Sequence, residues 1–183
     1  MPPVADKHLE ERILKAAQRL WRLRGARGLT LRAVAREAGT TTPTVYKRFR
    51  NKQALQLALA TRFREQLNEE LFSAKTLEEI PVRYVRFAEE HPNEYQLLWN
   101  TWTDIFHPDL PRPGRLWFMA QLADRFGGKP EDYARAFYAF FLLVHGAATL
   151  LGVPGDEVAR EEVHRNLLSI CDIFLRNVEL FRE

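Results

Sequence analysis

Apolar residues recur at three- and four-residue steps along almost the whole of the 183-residue chain, and this is the period of an amphipathic α-helix. No segment shows the alternation of apolar and polar residues that a half-buried strand requires. The first helical run carries its apolar side chains on one face, at Leu9, Ile13, Ala16, Ala17, Leu20 and Trp21. The sequence therefore predicts an all-α protein.

Glycine, proline and threonine residues divide this pattern into separate helices. Thr30 is predicted to cap the second helix, Gly39 to end it, and Thr42 to cap the third, with Pro43 at its first position. The predicted helices run over residues 9–25, 31–38, 43–49, 52–72, 77–91, 93–105, 115–126, 130–152 and 156–181. Residues 107–114 are predicted to be non-helical because three prolines remove backbone donors there.

Charge separates the front of the chain from the rest. Residues 1–53 hold 13 Lys and Arg against 4 Asp and Glu, a formal charge of +9. Residues 54–183 hold 14 against 20, a formal charge of −6. A basic front on an acidic body indicates an anionic partner for the front alone. We therefore predict two domains, residues 1–53 and residues 54–183.

The single cysteine, Cys171, excludes an internal disulfide and any metal site built from several cysteines. It is interpreted as a small buried apolar residue, and the chain is expected in the reducing cytoplasm. No signal peptide is expected from the short polar start of the chain. The apolar segment 136–153 contains His145 and two glycines, so it is interpreted as a buried helix and not as a membrane span. No metal or cofactor is predicted.

Three residues of the basic front have the spacing of a helix-turn-helix unit. Ala35 is small enough for two helices to cross closely, Gly39 can adopt the left-handed conformation of a tight turn, and Val45 supplies a branched anchor in the following helix. Each feature alone is weak. Together, in a basic unit of three short helices, they predict a DNA-binding domain over residues 1–53.

Residues 29–55, which read LTLRAVAREAGTTTPTVYKRFRNKQAL, resemble the N-terminal domain of the TetR family of transcriptional repressors. The most specific part of this resemblance is the run Tyr46-x-x-Phe49-x-Asn51-Lys52. The chain departs from the family at Thr40, where an aliphatic residue is usual, and at Arg48, where histidine is frequent. The resemblance implies a DNA-binding head followed by an all-helical domain that binds an effector and dimerises.

A weaker resemblance lies in the body of the chain. The pairs His91-Pro92 and Glu94-Tyr95, and later Val144-His145-Gly146, are similar to a subgroup of TetR-like C-terminal domains. Elsewhere the body is similar to the family only in its helical architecture.

The third helix is expected to enter the DNA major groove by its N-terminus. Threonine hydroxyls can bond base edges, threonine methyls and proline suit a thymine methyl, and basic side chains suit phosphate or guanine. The predicted DNA-binding residues are Thr30, Arg32, Thr41, Thr42, Pro43, Thr44, Tyr46, Lys47, Arg48 and Lys52. The resemblance implies phosphate contacts for the start of the second helix, for Tyr46 and for Lys52.

Several of these residues have simpler interpretations. Thr30 and Thr42 can cap helices with or without a DNA contact, and Tyr46 can be part of the core. Phe49 is interpreted as core. Other basic residues of the front are interpreted as a solvated surface, at Arg12, Arg19, Arg22 and Arg24.

The body holds 18 of the 21 aromatic residues, more than a DNA-binding head needs. Each can be a core residue, but an aromatic-lined pocket between helices is the default ligand site, and the resemblance implies a small-molecule effector there. The predicted effector-binding residues are Tyr84, Phe87, Trp99, Trp102, Phe106, Phe137, Tyr138, Phe141 and His145. Within its apolar helix His145 needs hydrogen-bond partners, as a core residue or as a ligand contact.

The last two helices are expected to pair with a second copy of the chain. The predicted dimer residues are Ala147, Leu151, Leu167, Ile170, Cys171, Phe174 and Val178. The alternative is that these faces pack only within one chain. A symmetric dimer would present two heads to two half-sites of a palindromic operator.

Three functional classes remain open at this stage. The first is a dimeric transcriptional repressor that a small apolar or aromatic effector releases from DNA. The second is an architectural DNA-binding protein without a ligand. The third is an enzyme, for which no phosphate-binding glycine loop, nucleophile elbow or metal motif is found. The first class is the one that we expect.

Overall fold

The computed structural model describes residues 7–105, 111–152 and 156–182. Of the described residues, 84% are helical, and no strand occurs among them, which confirms the predicted all-α class. The α-helices are α1 (Lys7–Gly28), α2 (Leu31–Glu37), α3 (Thr42–Arg48), α4 (Lys52–Phe72), α5 (Glu79–Glu90), α6 (Pro92–Asn100), α7 (Trp102–Ile105), α8 (Pro113–Phe126), α9 (Ala134–Leu151) and α10 (Glu157–Arg176). Short 3-10 helices cover Pro130–Tyr133 and Val178–Phe181.

Among the differences from the predicted helix boundaries, two have clear local reasons. The first helix does not end at Gly25 but continues to Gly28 through a kink, where Gly25 has φ 56° and ψ −149°. The single helix predicted over 93–105 is two helices, α6 and α7. Between them the hydroxyl of Thr101 donates to the carbonyl of Leu97 at 2.8 Å, a local bond that competes with regular helix geometry.

The chain forms two compact units. The first contains residues 1–64 and 93–107, and the second contains residues 65–92 and 108–183. The division therefore falls inside α4 and assigns most of α6 and all of α7 to the unit with the N-terminal helices. The functional boundary at residue 53 stays a prediction.

The first unit has its core between α1, α2, α3 and the start of α4. The helices α1 and α2 pack together, as do α2 and α3. The side chains that are at most 3% exposed there are Ile13, Ala16, Ala17, Trp21, Leu29, Val34, Ala35, Val45, Leu55, Leu59, Ala60 and Phe63. Phe49 is 6% exposed, which confirms it as a core residue.

The second unit is built around α9, which packs against α5, α8 and α10. Phe140 of α9 stacks on Phe118 of α8, with 4.7 Å between ring centroids, and lies 5.5 Å from Phe174 of α10. Cys171 is 2% exposed, and burial raises the pKa of its thiol to about 12. The interpretation of Cys171 as a small buried apolar residue is confirmed, because a thiol with this pKa stays protonated at neutral pH.

One helical stretch in the described part of the chain, Pro130–Leu151, has the length and composition to cross a membrane, and 33% of its most apolar window is buried. The burial is one-sided. Val144 and Ala148 are 1% and 0% exposed, whereas Leu142 and Leu150 are 64% and 63% exposed. The sequence interpretation of a buried helix therefore holds for one face of α9, and the other face presents large aliphatic side chains.

Candidate DNA-binding surface

The turn between α2 and α3 has a hydrogen-bond pattern that fixes the two helices at an angle. Gly39 has φ +61°, the left-handed conformation that the sequence predicted. The amide of Thr40 donates to the carbonyl of Ala35 at 2.9 Å, and the amide of Gly39 donates to Arg36 at 3.3 Å. These two bonds form a Schellman motif, which satisfies the last carbonyls of α2. Ala35 and Val45 are 2% and 0% exposed, as expected for the crossing point.

Threonine side chains begin both helices of this unit. The hydroxyl of Thr30 accepts from the amide of Ala33 at 3.1 Å, which confirms Thr30 as the cap of α2. The cap of α3 is Thr41 and not Thr42, so that prediction is wrong by one residue: the Thr41 hydroxyl accepts from the Thr44 amide at 3.3 Å. Thr41 has the extended backbone of a cap (φ −97°, ψ 152°), and Thr42 is already helical.

The start of α3 is presented to solvent while its other face is buried. Tyr46 is 54% exposed beside the fully buried Val45, so Tyr46 is a surface residue and not part of the core. Of the residues predicted to bind DNA, seven are exposed: Thr30, Arg32, Thr41, Pro43, Tyr46, Lys47 and Lys52. The other three are half-buried: Thr42, Thr44 and Arg48.

Two of the predicted phosphate ligands have partners within the first unit. Nη1 of Arg48 lies 3.7 Å from a carboxylate oxygen of Glu10, and Nζ of Lys52 donates to the carbonyl of Ala26 at 2.8 Å. Both contacts are made to α1, so in the absence of DNA these two cations stabilise the packing of α3 and α4 on α1. The side chain of Asn51, a residue of the predicted motif, accepts from the Ala54 amide at 2.8 Å and caps α4.

A set of contacts between α1 and α6 was not found from the sequence. The indole of Trp21 donates to the carbonyl of Asn93 at 2.7 Å, and the amide of the Asn93 side chain donates to the carbonyl of Arg22 at 3.1 Å. Arg22 also forms an ion pair with Glu94, whose side chain is only 3% exposed. Arg22 was interpreted as part of a solvated surface. The pair joins residues 72 positions apart, a separation that periodicity cannot reveal.

The predicted effector residues of the first unit lie on α6 and α7. Trp99 is half-buried and makes an edge contact with Tyr95, with 5.7 Å between centroids. Trp102 is 56% exposed. Phe106, which was also predicted, lies outside the described residues.

The predicted effector residues of α5 are buried in the second unit. Tyr84 and Phe87 are each 6% exposed. Phe87 lines a cleft of about 110 Å³ whose other walls are Glu70, Arg86, Glu90 and His91. The charged walls and the small volume suit a few waters more than an apolar compound.

The remaining predicted effector residues form a ladder of rings on α9. Phe137 stacks on Phe141 and Phe141 on His145, each pair 5.7 Å apart between centroids, with interplanar angles of 12° and 3°. All three are half-buried. Burial lowers the pKa of His145, which keeps the imidazole neutral at pH 7 and suits its place in an aromatic stack. Tyr138 lies beside the ladder and is 44% exposed.

Most residues predicted for the dimer interface are covered by the chain itself. Six are at most 9% exposed within the second unit, namely Ala147, Leu151, Leu167, Cys171, Phe174 and Val178, whereas Ile170 is 45% exposed. The outward aliphatic residues of α9 and α10 include Leu142, Leu150 and Ile173. The two faces of α9 are both apolar, so the sequence alone did not show which one the chain covers.

Within residues 7–105, 111–152 and 156–182, no three His, Cys, Asp or Glu residues are grouped as they would be around a metal ion. The arrangement that points most clearly to a function lies in the N-terminal unit. It has two short helices crossing at a small residue, a left-handed glycine turn, and a capped helix with an exposed polar start. These features define the class of helix-turn-helix DNA-binding proteins.

Comparison with known proteins relates the N-terminal helices to one family. Residues 13–59 match the family described as bacterial regulatory proteins, tetR family. The matched residues run from α1 to the start of α4 and include the whole helix-turn-helix unit. No curated protein matches the sequence.

Solved structures share the fold along nearly the whole chain. A TetR transcriptional regulator from Rhodococcus sp. RHA1 is 18% identical, with a TM-score of 0.64, and the match covers 93% of this chain and 98% of that one. A variant TetR from Acinetobacter baumannii AYE in complex with minocycline is 18% identical, with a TM-score of 0.65 and coverage of 95% and 98%. The multidrug binding protein EbrR complexed with proflavin is 20% identical, with a TM-score of 0.54 and coverage of 87% and 99%.

Proposed function

We propose that this protein is a TetR-like dimeric transcriptional repressor, which binds a palindromic operator and is released by a small apolar or aromatic effector. The observation that carries the proposal is the exposed start of α3, held by the Gly39 turn and the Thr41 cap on a basic unit. A helix presented in this way can enter the major groove by its N-terminus. Thr42, Pro43 and Thr44 would then face base edges.

The charge of the unit supports binding to the DNA backbone. Lys47 at the end of α3 and Arg32 in the first turn of α2 are exposed, and no carboxylate of the described residues forms an ion pair with either. Such side chains can bind phosphate without first breaking an ion pair. Phosphate contacts release condensed counterions, so the affinity for DNA should fall steeply with salt concentration.

The outer faces of the last two helices support a dimer. Leu142 and Leu150 lie eight residues apart on one side of α9, and Gly146 between them is also exposed. On α10, Ile170 and Ile173 are 45% and 56% exposed. Exposed aliphatic side chains on both helices suit a self-complementary interface around a two-fold axis. We therefore move the proposed dimer contacts from the buried face of these helices to the outward one.

The aromatic ladder of α9 supports an effector site, and two structures of similar fold hold minocycline and proflavin. An effector can release the operator only if it binds the two states of the protein with different affinity. The proposal therefore includes two points: the protein represses transcription, and the effector releases it from DNA and does not recruit it to DNA.

Selection of bound sequences from a random duplex DNA pool tests the proposal at a fixed, moderate salt concentration. Enrichment of an inverted repeat is the expected result, with an affinity that falls linearly with salt on logarithmic axes. Salt-sensitive binding to all sequences without enrichment would contradict it and would favour an architectural DNA-binding protein.

Sedimentation of two matched variants tests the dimer. Ile173→Glu places a charge on the proposed interface, whereas Leu23→Glu places one on α1, at a side chain that is 78% exposed. Wild type and Leu23→Glu should sediment as dimers, and Ile173→Glu should shift towards the monomer. A monomeric wild type, or a dimer that Ile173→Glu leaves unchanged, would contradict the proposed interface.

A further inference from the structure

Two exposed arginines at the end of α1 have no ionic partner. Three earlier cations of the same helix are each paired with a carboxylate, Lys15 with Glu11, Arg19 with Glu37 and Arg22 with Glu94. Arg24 and Arg27 are exposed, and neither forms an ion pair with a carboxylate of the described residues. The end of α1 therefore carries positive charge that no neighbouring carboxylate neutralises.

The kink at Gly25 shapes this end of the helix. Gly25 has φ 56°, a conformation that glycine adopts without steric cost. Beyond the kink, the last turn of α1 lies against Arg24. A Cβ at Gly28 would overlap the Cβ of Arg24 and would lie 3.2 Å from its Cδ, so only glycine fits there. The kink thus holds the stem of Arg24 beside the turn that carries Arg27.

Lys52, at the start of α4, adds a third cation to the same turn. Its Nζ donates to the carbonyl of Ala26, the residue before Arg27, at 2.8 Å. An ammonium group has three donors, so two of its N–H groups can bond another acceptor. Arg24, Arg27 and Lys52 together form what we call the α1-end surface. Thr30, the cap of α2, follows this turn by two residues.

The sequence around the α1-end surface is almost free of acidic residues. Residues 12–64 hold 14 Lys and Arg and a single acidic residue, Glu37, which is already paired with Arg19. One cation at a helix C-terminus is favourable because of the helix dipole, but three cations around one turn repel one another. Anions lying across them would remove this repulsion, and the phosphates of duplex DNA are a regular array of such anions.

We propose that Arg24 and Arg27 bind the DNA backbone beside the base pairs that α3 reads. The α1-end surface would extend the contact with DNA beyond the helix-turn-helix unit, and it would fix the orientation of the head on the duplex without reading bases. This replaces the sequence interpretation of Arg24 as part of a solvated surface. The inference rests on the proposed function, because it adds contacts to the same DNA complex.

The salt dependence of DNA binding tests the inference. The full-length protein is titrated by fluorescence anisotropy into a labelled duplex of arbitrary sequence, about 30 base pairs or roughly three helical turns long, at several salt concentrations. Phosphate contacts need no operator, so the measurement does not depend on finding one. Arg24→Gln/Arg27→Gln removes both charges, and Arg24→Lys/Arg27→Lys retains them. Arg165→Gln removes an exposed arginine of α10 and is the second control.

The expected result is a change of slope in the variant that loses charge. A plot of log affinity against log salt should become less steep by about 0.9 for each lost phosphate contact, hence by about 2 for each bound head of Arg24→Gln/Arg27→Gln. At about 0.1 M salt this variant should bind at least about tenfold more weakly than wild type. Arg24→Lys/Arg27→Lys and Arg165→Gln should keep the wild-type slope. An unchanged slope in the glutamine variant, or an equal loss in the lysine variant, would overturn the inference.

Urea unfolding checks that the variants are folded, which is expected because glutamine and arginine have similar helix propensities. If the double glutamine variant does not fold, the single variant Arg27→Gln should lower the slope by about 0.9 for each bound head, and an unchanged slope there would overturn the inference.

Failure of the inference is separable from failure of the proposed function. A protein that selects an inverted repeat, but whose slope the glutamine substitutions leave unchanged, loses only the contact at the end of α1. A protein whose slope falls as expected but which selects no inverted repeat keeps that contact and loses the repressor function. A protein that binds no duplex DNA at all would overturn both.

Discussion

The ion pair between Arg22 and Glu94 is expected to contribute more to stability than a neighbouring pair on the same helix. Arg22 binds a carboxylate whose side chain is 3% exposed, and Arg22 itself is 46% exposed. Three residues earlier, Arg19 binds Glu37 at 2.9 Å, with 55% and 41% of the two side chains exposed. The two pairs therefore differ mainly in the burial of the carboxylate, so Arg22→Ala and Arg19→Ala make a matched comparison.

The expected losses follow from that burial. Breaking an exposed pair costs about 0–1 kcal/mol, which is the value expected for Arg19→Ala. Leaving a buried charge without its partner costs about 3–5 kcal/mol. Because Arg22 is itself 46% exposed, we reduce that figure for solvent screening to about 2–3 kcal/mol. Arg22→Ala should thus be the less stable variant by about 2 kcal/mol.

Urea unfolding at pH 7 and a fixed protein concentration measures the free energy of unfolding of both variants. The transition midpoints are compared using one common slope of free energy against urea concentration. The double variant Arg22→Ala/Glu94→Gln should regain most of the loss, since it removes the buried charge itself. Equal losses for the two single variants would refute the argument. So would a double variant that is no more stable than Arg22→Ala.

The remaining predictions concern single side chains. Gly39→Ala should lower the free energy of unfolding in urea by about 1 kcal/mol, and Gly39→Asn should lower it less. A Cβ at Gly39 meets nothing within 4 Å, so only the left-handed backbone conformation is penalised. Equal stability of Gly39→Ala and wild type would contradict this. Tyr46→Phe should keep the unfolding free energy within about 0.5 kcal/mol but weaken DNA binding in anisotropy titrations, and unchanged affinity would remove the hydroxyl from the interface. Burial raises the pKa of Cys171 to about 12, so iodoacetamide at pH 8 should alkylate this thiol only in denaturant, and rapid native labelling would be inconsistent with its burial. A hydrogen bond from the backbone amide of Lys129 lowers the pKa of Asp132 from its ordinary value, so the stabilisation is present above the unfolded pKa and is lost as the pH falls through the lowered value. Asp132→Asn should therefore weaken the dependence of the unfolding free energy on acid pH. An unchanged dependence would exclude this contribution.

Local chemistry explains why the helix-turn-helix unit could be predicted. The cap at Thr30, the left-handed turn at Gly39 and the buried anchor Val45 each depend on residues only a few positions away. The predicted cap of α3 was wrong by one residue, and the reason is again local. Three consecutive threonines precede Pro43, and each has the side chain of a cap, so composition alone does not select Thr41.

Contacts between distant residues could not be predicted from periodicity. The partner of Arg22 lies 72 residues further along the chain, and nothing in the spacing of Glu94 marks it as buried. The helix α9 shows a different limit. It is apolar on all sides, so its pattern does not distinguish the covered face, with Ala147 and Leu151, from the outward face, with Leu142 and Leu150. The predicted dimer residues consequently fell on the covered face.

The central claim is that the start of α3 reads the DNA sequence, once in each half of a symmetric site. Its most direct test is the random-pool selection repeated with Thr42→Ala, which alters the first residue of α3 without removing its cap at Thr41. Thr103→Ala, the same substitution at an exposed residue of α7, is the control. We predict that Thr42→Ala changes the preferred base at the same position of both half-sites and that Thr103→Ala reproduces the wild-type consensus. An identical consensus for Thr42→Ala and wild type, or a change in only one half-site, would contradict the claim.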